Sequence, residues 1–228
     1  AVANWDAIRS TSYIYSTTPV SNAEIATLQN QGFEIGMHLN PDCGVWTPTT
    51  LDNYFNTQLA DFNAQYYAAI PQVSHRIHCL SWSDWASLPK AEIQRGMRLD
   101  VNYYYWPSSW INGKPGMFTG SGMPMRFADL DGSLIDYYQA PSQMTDESGQ
   151  FYPAEVDALL TNATGPEGYY GVFTANMHTD LVISSGSDAI INSARALQIP
   201  VVSGKQMLEW LDARNNSTFS NYSWNNNL

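Results

Sequence analysis

The feature that most constrains this chain is the alternation of short apolar and aromatic runs with helical repeats. Thr11-Ser12-Tyr13-Ile14-Tyr15 has the β-branched and aromatic content of a strand. Ser21-Asn22-Ala23-Glu24 is a capping-box pattern that opens a helix carrying Ile25 and Leu28 and stopping at Gly32. Phe33 to His38 reads as a second strand, followed by a loop with Pro41, Cys43 and Gly44. Leu51, Tyr54, Phe55, Leu59, Phe62 and Tyr66 keep helical spacing between Thr50 and the stop at Pro71. Val73 to Leu80 is a third strand, Pro89 opens a short helix towards Gly96, and Arg98 to Tyr105 is a fourth strand. This rhythm predicts parallel strand–helix–strand units, an α/β fold.

The middle of the chain breaks the rhythm. Pro107 to Gly122 is rich in Gly, Pro, Ser and Trp and reads as a long loop. Met125 to Asp129 and Ser133 to Gln139 flank Leu130-Asp131-Gly132, which predicts an inserted antiparallel hairpin. The alternation then resumes. Helices are expected over Pro153–Thr164, Ser187–Leu197 and Lys205–Ala213, with strands over Tyr169–Ala175 and Pro200–Ser203. The expected organisation is one domain over residues 1–214 and a polar, extended or mobile tail over 215–228.

Charge and composition narrow the partners. The formal charge of −11 disfavours nucleic acid and other polyanions and suits neutral or cationic polymers such as glycans with free amino groups. No apolar run approaches the roughly 20 residues of a membrane helix. No leader pattern is visible at Ala1, so a mature or trimmed chain is expected. Charged residues are only 14%. With abundant Asn, Ser, Thr, Tyr and Trp, that composition resembles secreted, extracellular proteins. Asn162-Ala163-Thr164, Asn216-Ser217-Thr218 and Asn221-Tyr222-Ser223 fit the N-glycosylation pattern, which an Asn-rich chain also produces by chance. The only cysteines are Cys43, after the second strand, and Cys79, at the end of the third. Adjacent parallel strands would bring them close enough for a disulfide.

Ligands of parallel α/β folds bind beyond the carboxyl ends of the strands, so polar residues there are informative. His38 ends the second strand, His178 follows the Tyr169–Ala175 strand, and Arg76 and His78 share one face of the third strand while His75 faces away. For each histidine alone, a hydrogen-bonded structural role is the simpler account; three at corresponding ends favour a site. Arg76 offers a planar fork to a carboxylate or a substrate oxygen, or sits in a buried ion pair. Asp42 reads as a turn former before a ligand, and Asp180 either tunes His178 or caps the next segment. Tyr105, Trp106 and Trp110 are aromatic faces on which a sugar ring can stack, or simply loop packing.

Taken with their order, these segments resemble the polysaccharide deacetylase superfamily, carbohydrate esterase family 4. Ser10-Thr11-Ser12-Tyr13-Ile14-Tyr15 resembles its "aTFFv" strand, and Gln31-Gly32-Phe33-Glu34-Ile35-Gly36-Met37-His38 resembles "GHEIGxH". Arg76-Ile77-His78-Cys79 resembles R-x-P-Y, Gly96-Met97-Arg98-Leu99-Asp100 resembles "GFxxD", and Asn176-Met177-His178 resembles the late L-x-H segment. The likeness spans about residues 10 to 205. It implies a distorted (β/α) barrel, a divalent metal (zinc above all), and hydrolysis of acetyl groups on a polysaccharide. It implies His38 as a metal ligand, His178 as general acid and Arg76 as the residue that orients the base.

The departures are as informative. The family's H-[ST]-x-x-H reads His38-Leu39-Asn40-Pro41-Asp42 here, so the second metal histidine is missing. His78 stands where the family has proline and is the candidate replacement ligand. No Asp-Asp pair precedes the Thr11 strand, and Asp6 stands alone, so low or absent turnover is expected. Two other readings stay open: a non-catalytic glycan-binding or structural domain on the same fold, and a glycoside hydrolase using a carboxylate pair from among Asp100, Asp129, Asp131 and Asp136.

Overall fold

The computed structural model describes residues 7–102, 122–147, 149–168, 171–179 and 184–223. Its elements are β1 (Thr11–Ile14), α1 (Asn22–Asn30), β2 (Glu34–Leu39), α2 (Pro48–Gln65), β3 (Ser74–Ile77), α3 (Ser87–Ile93), β4 (Leu99–Asp100), β5 (Met125–Ala128), β6 (Leu134–Gln139), β7 (Ser142–Thr145), α4 (Ala154–Thr164), β8 (Thr174–Asn176), α5 (Ser185–Ala196) and α6 (Gly204–Asn215). One sheet has the order β1-β2-β3-β4-β6-β5 and a second pairs β7 with β8. All neighbouring pairs are parallel except β5 with β6, the inserted hairpin. The molecule is therefore mixed α/β with a mostly parallel sheet.

Local chemistry starts each helix. Ser21 and Glu24 form the expected capping box of α1. Thr47 and Thr50 form another, with Pro48 in the first turn, so α2 begins slightly before Thr50. Leu51, Phe55 and Phe62 of α2 are fully buried against Ile35, Met37, Leu39 and Ile77. Each such side chain contributes about 1.5–3 kcal/mol. Along β2 the alternate residues Glu34, Gly36 and His38 face the other side of the sheet. Gly36 is required there, because a Cβ would stand 2.9 Å from the Tyr13 ring that crosses it. On that second face α6 packs Met207, Leu208 and Leu211 against Leu99, Tyr138 and Ala140.

The base of this face is a knot of hydrogen bonds around buried Glu34. Its carboxylate accepts from Thr11 Oγ1 (2.6 Å), Ser74 Oγ (2.8 Å) and the Lys205 backbone N–H (2.7 Å). Thr11 Oγ1 in turn accepts from the Gly204 N–H at 2.8 Å. Strands β1, β2 and β3 are thereby tied to the start of α6, and an acidic group sits at that helix's positive end.

Several boundaries differ from the sequence expectation. The third strand stops at Ile77 instead of continuing to Leu80. His78–Leu80 form a 3₁₀ turn with Cys79 and Leu80 at φ 56° and 51°. The segment Ser142–Thr145, which carries no apolar alternation, is a strand. Residues 200–203 form no strand, yet Arg9 N–H donates to Val201 O at 2.9 Å, so the segment does lie beside the chain entering β1. Among the described residues no ladder joins β8 to β1, and no closure into a barrel is shown. The helix expected to end at Ala213 runs to Asn215. Residues 217–223 are exposed and without regular structure.

Candidate functional site

Register places three rings together. Ile14 lies opposite Met37, and His38 lies opposite Arg76. Tyr15, one residue beyond β1, therefore stands beside His38, and His78 enters from the turn just after β3. The ring centroids are 5.2 Å apart for Tyr15–His38, 5.3 Å for His38–His78 and 6.1 Å for Tyr15–His78. His78 Nδ1 is 3.3 Å from His38 Nε2 and 3.0 Å from Tyr15 Oη. The two imidazoles face one another, with His78 positioned by a turn and not by the strand alternation that the sequence suggested.

His38 has a defined tautomer. Its Nδ1–H donates to the Arg76 carbonyl at 3.0 Å, so in the neutral ring Nε2 is the bare nitrogen. Burial lowers its pKa to about 4, against the smaller upward pull of that hydrogen bond; the positive charge of Arg76 pushes the same way as burial. A neutral imidazole with one nitrogen held by a carbonyl and a lone pair on the other is the form a metal ligand takes. Donors around a tetrahedral zinc at 2.0–2.1 Å are about 3.3–3.4 Å apart. The His38–His78 nitrogen separation fits that edge.

The cysteines fix the same place. Cys43 and Cys79 are disulfide-bonded, with Cα atoms 5.2 Å apart. The bridge joins the loop after His38 to the residue after His78. Cys43, His78 and Cys79 form a ligand-like group, but the sulfurs are bonded to one another and are not thiolates.

His178 stands two residues beyond β8, at the corresponding strand end. Its Nδ1 is 2.8 Å from Asp146 Oδ1, and its backbone N–H donates to Asp146 Oδ2 at 2.7 Å. The Asp146 hydrogen bond raises the His178 pKa, outweighing partial burial. Burial pushes Asp146 up, yet the two bonds from His178 hold it below the ordinary carboxylate value. Arg76 is buried, donates from Nη1 to Val101 O at 3.1 Å, and its charge is felt at both His38 and His178. Asp146 escaped the sequence reading because the strand before it is polar. Asp180, the partner weighed for His178, lies outside the described residues, as do Tyr105, Trp106 and Trp110.

A cleft of about 460 Å³ opens beside His38, lined by Tyr15, Ser16, Asn40, Asp42, Tyr54 and Gln58 among others. Its wall is preorganised. Gln58 bonds both the N–H and the carbonyl of Asn40, and Asn40 Oδ1 accepts from the Asp42 N–H at 2.8 Å. Asp42 is thus a turn former, with φ 54°.

Beneath the rim, on the α3 face of the sheet, lies a second polar cluster. His75 Nδ1 is 2.7 Å from Glu92 Oε1, Tyr137 Oη donates to Glu92 Oε2 at 2.8 Å, and Asp100 is held by Asn102. Burial lowers His75 to about 4, lifts Asp100 to about 7 and drives Glu92 well up. His75 and Glu92 are therefore a neutral hydrogen-bonded pair. The other candidate carboxylates are dispersed: Asp129 pairs with Lys90, Asp131 caps Ser133, and Asp136 pairs with Arg98. No protein-family model and no curated protein matches this chain.

Proposed function

We propose that this chain carries a metal-dependent site for removing acetyl groups from an extracellular polysaccharide. The observation that supports it is the His38–His78 pair at strand ends beside an open polar cleft, together with an Asp146-held His178 that feels the charge of the same Arg76 as His38. His38 and His78 would hold a divalent ion, zinc above all, which when bound polarises a carbonyl and makes water a better nucleophile. His178, with Nδ1 engaged by Asp146, presents Nε2 to protonate the departing amine nitrogen or alcohol oxygen. Asp146 keeps that tautomer and holds the ring in place. The cleft wall of hydroxyl and amide side chains suits a neutral sugar. The disulfide and the exposed sequons at Asn216 and Asn221 suit an oxidising, extracellular setting.

A second reading, glycan binding without turnover, is favoured by the open polar cleft whose wall is held rigid by Gln58 and Asn40. The deciding experiment measures acetate release from acetylated glucosamine oligomers by zinc-loaded protein at high enzyme concentration. Slow release that is stopped by a chelator and lost in His178→Ala supports the esterase reading. Tight oligomer binding with no release, unaffected by either change, would replace it with the binding module.

A further inference from the structure

A site with only two protein donors is incomplete, since catalytic zinc centres take three and leave one position open. Among the described residues, the His, Cys, Asp and Glu side chains supply no third ligand in a group with His38. The donor that the geometry does supply is a phenol. Tyr15 Oη is 3.0 Å from His78 Nδ1, and its ring and that of His38 are 5.2 Å apart. Tyr15 and His38 come from the ends of neighbouring parallel strands, so their mutual placement follows the sheet register, and His78 enters from the turn just after the third strand. The turn that carries His78 is pinned through Cys79 to Cys43. Tyr15 and His38 also line the cleft, which leaves the side of the group away from β3 open to a small molecule.

We infer that Tyr15 Oη is the third protein donor of a divalent-metal site completed by His38 Nε2 and His78 Nδ1. The inference rests on the metal reading above and extends it to a residue type that the sequence motifs do not single out. In this arrangement the Arg76 carbonyl holds the His38 ring from behind, a buttress that fixes the direction of Nε2. On binding, the Tyr15 O–H bond gives its proton to water as the oxygen–metal contact forms. Without a metal, the bare His38 Nε2 makes His78 Nδ1–H the donor, shared between His38 Nε2 and Tyr15 Oη.

The test uses the purified, disulfide-intact chain, stripped with chelator and titrated with zinc for affinity and with copper(II) for absorption. One zinc per chain is expected, together with a visible phenolate-to-copper charge-transfer band. Tyr15→Phe removes only an oxygen; it should abolish the band and weaken zinc binding by at least roughly 10–100-fold. Tyr15→His, which returns a nitrogen donor, should recover affinity without the band. If His38→Ala and His78→Ala lose zinc but Tyr15→Phe keeps full affinity, the phenol is not a ligand and the two-histidine reading survives alone. If the wild-type chain binds no zinc, both fall.

Discussion

Two histidine–carboxylate contacts in this molecule are nearly identical in length and opposite in behaviour. On the α3 face, His75 meets Glu92 at 2.7 Å with both side chains fully buried. On the rim, His178 meets Asp146 at 2.8 Å, with the imidazole 45% exposed. Burial pushes the His75 pKa to about 4, whereas the Asp146 hydrogen bond raises that of His178. Distance alone therefore does not make an ion pair. Where water is excluded, desolvation of two charges exceeds their attraction and the proton stays on the acid. Where water reaches one side, the attraction outweighs desolvation and the charged forms are favoured. The floor contact is structural and the rim contact is chemically available, which is the difference a site needs between its support and its working groups.

The largest expected effect breaks the floor. Glu92→Ala takes the hydrogen-bond partner from His75 Nδ1 and one of two from the Tyr137 hydroxyl, leaves a cavity in a dry interior, and should cost about 3–5 kcal/mol in urea unfolding. Next comes the bridge that holds the rim turns. Cys43→Ser with Cys79→Ser opens a loop with a sequence separation of 36 and should cost about 3–4 kcal/mol, measured the same way. Removing the rim contact should barely register in stability. Asp146→Asn is expected to cost under about 1 kcal/mol, because the pair is half exposed.

The same rim variant should still shift a titration. The His178 pKa is raised in the fold, so its contribution to stability is full below about 6.5 and disappears as pH rises through the folded value. In Asp146→Asn the histidine midpoint, followed by NMR, should fall back towards about 6.5. His75 supplies the contrasting trace. Its stability contribution is present above about 6.5 and is lost as pH falls towards its folded value near 4. Its resonance should stay flat from neutral pH down to about 5, while that of His178 moves. A His75 midpoint near that of His178 would remove the contrast between floor and rim.

How much of this was legible in the sequence depends on what each residue's neighbours announce. The capping boxes at Ser21 and the helical face from Leu51 to Tyr66 are local signals, and the structure follows them. Strand β7 was invisible because Ser142-Gln143-Met144-Thr145 is buried through hydrogen bonds and not through apolar alternation. With it went Asp146, whose place is known only once β7 is paired with β8. The end of β3 at Ile77 was hidden for a different reason. Cys79 and Leu80 adopt positive φ without a glycine to signal it, in the turn pinned by the disulfide. His38 was a candidate because strand ends in parallel sheets are where ligands sit, and the structure sets it beside Tyr15 and His78. Tyr15 was read only as strand content, since a tyrosine there looks like packing until the register sets it against two imidazoles.

The knot at Glu34 has a consequence for the order in which this chain becomes itself during synthesis. Thr11 and Glu34 leave the ribosome well before Gly204 and Lys205, whose two backbone N–H groups complete their hydrogen bonds. Until those residues emerge, a buried carboxylate beneath the three site-bearing strands lacks part of its coordination. At roughly 5–20 residues per second, that wait lasts on the order of ten seconds or more. Strands β1, β2 and β3 are thus completed by late-arriving partners, and a chain stalled before α6 should present an unfinished sheet to chaperones and proteases.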